Sequence, residues 1–132
     1  MEVEIIVWQF VRIMVDFEEF RLSNIGKSAV KRNNPIFNDL KHLWVELDEK
    51  LELLAKNDHL KYSKIMMNEY VKFDVRSKSQ LNELISSVSR VINKLKASIK
   101  SMNNDNLESL NYEKDKMSIL KKQLISYKSK FE

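Results

Sequence analysis

The chain has 132 residues, of which 43% are hydrophobic and 32% charged, with a formal net charge of +4, one glycine, one proline and no cysteine. That length suits one domain with a modest core, and the balance of apolar and charged residues excludes a disordered chain. The missing cysteines exclude disulfides, thiol catalysis and thiolate metal sites, and the scarcity of Gly and Pro excludes a fold built from many tight turns.

The opening stretch, residues 5–15, reads IIVWQFVRIMV. A spanning helix needs about 20 mostly apolar residues. Here Glu2 and Glu4 precede the run, Arg12 interrupts it, and Asp16, Glu18 and Glu19 follow. A secretory leader would be basic, and this one is acidic. No membrane span is therefore expected. The β-branched content (Val3, Ile5, Ile6, Val7, Val11, Ile13, Val15) also suits a strand. A strand of that length would be unusual, however, and no second strand is evident to pair with it. Phe17 and Phe20 return to helical spacing, so residues 3–22 are read as a helix that is apolar on more than one face.

Residues 23–34, SNIGKSAVKRNN, are polar and read as a connection. Asn34 and Pro35 then provide an N-cap and a first helical residue. Leu40, Leu43, Leu47, Leu51 and Leu54 recur at threes and fours, which predicts an amphipathic helix over 35–56. The next helix is expected over 60–102, with room for a break near 76–80. Its regular part is Leu81, Leu84, Val88, Val91, Leu95, Ile99 and Met102, close to a heptad seam. The NNDN at 103–106 reads as a turn. Leu110, Met117, Leu120, Leu124, Tyr127 and Phe131 mark a last helix over 107–131. These readings describe one all-α domain over 1–132, a small helical bundle with a C-terminal antiparallel coiled-coil hairpin.

Candidate chemistry is sparse. The GKS at 26–28 matches the end of a phosphate-binding loop, but the motif requires glycine at the position of Arg21, so the fragment reads as a basic loop. His42 and Glu46 lie four apart on one helix face, yet a metal site needs three or four ligands and His59 is the only other histidine. Glu46, Asp48, Glu49 and Glu52 read as the solvated side of the leucine stripe. No nucleophile elbow surrounds any serine; Ser86, Ser87 and Ser89 read as helix-surface residues. No catalytic residue, cofactor or metal is expected, and no enzyme.

Binding is the remaining class. Residues 1–58 hold 8 Lys/Arg against 11 Asp/Glu, and residues 59–132 hold 15 against 8, so an acidic half precedes a basic one. Lys94, Lys100, Lys114, Lys121, Lys122 and Lys128 in the last hairpin are candidate nucleic-acid contacts. Arginine, the better fork for bases and phosphates, is scarce there: only Arg90 follows Arg76. The favoured expectation is a cytoplasmic adaptor or chaperone-like protein that binds a protein partner or a second copy of itself. Its expected docking surface is Trp8, Phe10, Met14, Phe17 and Phe20 of the first helix. In general layout, LKHLWVELDEKLELLAKND followed by the final hairpin is similar to small helical export chaperones serving flagellar and type III secretion substrates. That resemblance implies a helical hairpin with an amphipathic client-binding helix and transfers no individual residue.

Overall fold

A computed structural model describes residues 1–22, 35–101 and 106–131. These group into two compact units, Met1–Arg76 and Ser77–Glu132. The connection expected over 23–34, with its GKS fragment and the Asn34 cap, lies outside the described residues. So do Met102 and most of the expected 103–106 turn.

The first unit runs β1 (Glu2–Ile6), α1 (Val7–Leu22), α2 (Pro35–Asn57), α3 (His59–Asn68) and β2 (Tyr70–Asp74). The two strands pair antiparallel, Glu2 opposite Asp74 through Ile6 opposite Tyr70. Each strand alternates: Val3, Ile5, Val71 and Phe73 are buried, while Glu2, Glu4, Lys72 and Asp74 face out. That alternation is what one covered face of a pleated ribbon requires. Glu4 lies directly opposite Lys72, a favourable cross-strand pair.

Two expectations need correction here. The first helix does not begin at residue 3, and the helix expected over 60–102 contains a strand. In the second case the break allowed near 76–80 is longer and starts earlier: the helix ends at Asn68, β2 follows, and the next helix begins at Lys78. The physical reason is the pairing itself. Two five-residue strands, each marginal alone, satisfy one another's backbone and bury one apolar face. The signal in VKFDV, residues 71–75, is strict alternation, the strand period rather than the helical one.

The ladder is closed at both ends. The Val7 N–H donates to the Glu69 carbonyl at 2.9 Å and the Val75 N–H to the Met1 carbonyl at 2.8 Å. The Met1 ammonium donates to Asp74 Oδ1 at 2.8 Å and to the Val75 carbonyl at 3.0 Å. The hydrogen bond from that ammonium holds the Asp74 carboxyl below its ordinary value of 3.8, with the positive charges of Met1 and Arg76 acting in the same direction.

Helix α1 is the centre of the first unit and touches both strands, α2 and α3. Phe10, Ile13, Met14 and Phe17 are almost fully buried on it. The Phe10 ring packs on Trp44 of α2 at 6.4 Å and on Phe73 of β2 at 6.1 Å, and Phe17 meets Phe37 at 5.9 Å. Trp44 Nε1–H donates to Glu18 Oε1 at 2.9 Å, so the indole is buried without losing its hydrogen bond. Of the leucine stripe on α2, Leu40 and Leu51 are buried and Leu43, Leu47 and Leu54 half-buried. Asp58 separates α2 from α3. Its backbone leaves the helical region, and its carboxylate caps α3 by accepting the Lys61 N–H at 3.1 Å.

The second unit holds α4 (Lys78–Ser101), α5 (Leu107–Ser126) and a short 3-10 helix (Tyr127–Phe131). Ser77 caps α4: its Oγ accepts the Gln80 N–H at 3.1 Å, and Ser77-Lys78-Ser79-Gln80 has the spacing of a capping box. Helices α4 and α5 pack on one another. The faces they bury are Leu81, Leu84, Val88, Val91, Ile92 and Leu95 on α4 and Met117, Leu120 and Leu124 on α5.

Two predictions follow from the first unit. Phe10→Ala should lower its stability by about 3–5 kcal/mol, the usual cost of emptying a packed aromatic site, measured by denaturant unfolding. A loss under about 1 kcal/mol would contradict the packing of Phe10 on Trp44 and Phe73. The second concerns pH. A carboxyl whose folded pKa is depressed contributes stability above its unfolded value and loses it as pH falls through the folded value. Wild type should therefore lose stability relative to Asp74→Asn as pH falls below 3.8. A difference between the two that does not change with pH would rule out the ion pair as the cause.

Candidate interaction surface

The residues expected to form the docking surface are interior ones. Trp8 is 6% exposed, Phe10 and Met14 0% and Phe17 1%, while Phe20 is half-buried. A partner reaching the first four would have to open the unit. The many-sided apolar character of α1 is explained by what covers it: β1, β2, α2 and α3 each take part of its circumference.

Large apolar side chains are left in solvent on several elements, among them Val15 on α1, Val45 on α2, and Tyr112, Ile119 and Ile125 on α5. Leu60 on α3 is 79% exposed, Leu53 near the end of α2 63%, and Met67 near the end of α3 49%. Leu60 and Met67 are seven residues apart on one helix and so share a face, with Lys64 between them. Tyr70, exposed on the outer face of the ladder, sits opposite Ile6. Sequence reasoning missed these exposed residues, although Leu53 carried a signal. It lies between Leu51 and Leu54 on the amphipathic helix, one residue off the stripe, on the polar side.

The other candidates are dispersed. His42 and Glu46 are exposed on α2, beside a shallow open depression that Asn38, Lys41 and Val45 also line. All five residues come from one helix face. His59 is exposed at the start of α3, its ring 6.4 Å from Tyr62. Among the described residues no group of three His, Cys, Asp or Glu is placed to hold a metal ion, and no helix is long and apolar enough to cross a membrane. The buried polar residues Gln9, Asp16, Gln80 and Ser87 all have partners.

The lysines divide by position. Lys94, Lys100 and Lys122 are exposed, and Lys114, Lys121 and Lys128 are half-exposed. Lys114 Nζ lies 3.4 Å from Asn111 Oδ1 and 3.9 Å from Asp115 Oδ1. Lys116 sits over the Tyr112 ring at 5.6 Å and Lys130 over the Tyr127 ring at 5.1 Å. Counted by unit, residues 1–76 carry 12 Lys/Arg and 13 Asp/Glu, and residues 77–132 carry 11 and 6. The net charges are −1 and +5, so the positive excess belongs to the second unit.

Compared with protein-family models, with curated proteins and with solved structures, the chain matches none.

Proposed function

We infer that the protein is a non-enzymatic, cytoplasmic helical interaction module, adaptor-like or chaperone-like, that docks an apolar segment of a protein partner or of a second copy. The observation that supports this reading is the exposure of Leu60, reinforced by Leu53 and Met67. Burying an exposed leucine or methionine side chain contributes about 1.5–3 kcal/mol, so covering two or three of them favours docking and offsets part of the cost of association. An amphipathic helix laid on that face is the simplest occupant. The docking surface is thus moved from the buried α1 residues to α2 and α3.

The same reading treats α4 and α5 as an antiparallel coiled-coil hairpin within a helical bundle. The steps Leu81, Leu84, Val88, Val91 and Leu95 on one helix and Met117, Leu120 and Leu124 on the other support it.

Leu60→Glu with Met67→Glu should leave the melting temperature nearly unchanged, since both sites are exposed. It should also abolish self-association in light scattering, or the capture of a partner that wild type pulls down from its own cells. Binding and association identical to wild type would remove the basis for this surface. For the hairpin, Val88→Asp or Leu120→Asp should cost several kcal/mol by burying an unpaired charge. Circular dichroism showing an unchanged melt would exclude the seam.

A further inference from the structure

We propose that the lysine face of residues 116–131, on α5 and the 3-10 helix, binds the phosphate backbone of a single-stranded nucleic acid without reading its sequence. This is independent of the apolar surface on the first unit. Residues 116–131 contain five lysines (Lys116, Lys121, Lys122, Lys128 and Lys130) and no Asp or Glu. Lys121, Lys122 and Lys128 make no ion pair with any described residue. Among the described residues their charge is therefore not consumed, and the unit carries the whole positive excess of the chain.

The arrangement selects among anionic partners. Lys116, Lys121 and Lys122 are set about 100–140° from one another round the axis of α5, while Lys114, Lys121 and Lys128 recur by sevens along one side of it. A flat bilayer meets one side of such a helix, whereas a flexible polyanion can follow lysines that wind around it. Lysine is a hydrated point charge suited to phosphates, and arginine, the residue that forks onto base edges, is absent after Arg90. The expected contacts are therefore to the backbone. A helix C-terminus favours cations in its last turn, which accounts for Lys128 and Lys130 within the fold. Lys121 and Lys122 lie at least a turn further in and need another explanation.

The test is fluorescence anisotropy of the full chain with a labelled mixed-sequence 20-nucleotide single strand, titrated at several salt concentrations. Binding should be detectable at low salt. A plot of log K against log salt should have a slope of about −2 to −3, as three or four released counterions require. Lys121→Gln/Lys122→Gln/Lys128→Gln should make that slope shallower by about 2 and weaken binding at least about tenfold, with unchanged helicity and melting. Lys122→Gln alone, at an exposed site, should give a smaller loss in the same direction. Lys41→Gln/Lys50→Gln/Lys56→Gln on α2 should bind as wild type does. Three results would each overturn the proposal: no binding at low salt, a triple variant that binds like wild type, or binding to phosphatidylserine vesicles but not to the oligonucleotide.

Discussion

The first unit depends on the Phe10 side chain. Its ring meets Trp44 from α2 and Phe73 from β2, so one residue ties three elements that are far apart in sequence. With Phe10 fixed, Met14 and Phe17 follow on the same side of α1, and Phe17 reaches Phe37. Arg12 and Val15 are then left in solvent. The ladder is subject to the same constraint. Phe73 faces inward only in a register that also buries Val3, Ile5 and Val71, and a shift by one residue would turn the charged set inward.

This core separates structure from surface. The most apolar segment of the chain is spent on holding the first unit together, so it is not available to a partner. What the described residues leave in solvent is scattered: single apolar side chains on α1, α2, α3 and α5, and the lysines of α5. The two differ in chemistry. Contact with the first would be favoured by apolar burial and be nearly indifferent to salt, whereas contact with the second would be dominated by counterion release and collapse as salt rises.

Much of the helical content was legible. The leucine spacing marked α2, Asp58 fell within the expected break at 57–59, and Leu81, Leu84, Val88, Val91 and Leu95 on α4 and Met117, Leu120 and Leu124 on α5 are buried, while Ile99, Leu110, Tyr127 and Phe131 of the same spacing are half-buried. Local periodicity could not reveal that the opening residues pair with a strand at the other end of the unit. Nothing near Val3 or Ile5 points to Val71 or Phe73, and hydrogen bonds between distant segments leave only a weak alternating trace in each. The Ser77–Gln80 cap was present in the letters SKSQ and falls within the break allowed near 76–80, but the strand before it was read as helix. The burial of Trp8, Phe10, Met14 and Phe17 was hidden for a related reason. Hydrophobicity on several faces marks a helix as needing cover, and only the tertiary arrangement says that the cover comes from the same chain.

The opening segment is a strand followed by a covered helix in the core of the first unit. Residue-resolved hydrogen exchange checks this amide by amide. In the observed ladder the Val3, Ile5, Val71 and Phe73 amides point at the partner strand, and those of Glu4 and Lys72 point away. Slow exchange at the first four, fast exchange at the last two and strong protection from Phe10 to Phe17 is the predicted pattern. Equal exchange at Val3, Glu4 and Ile5, together with rapid exchange across Phe10–Phe17, would contradict it.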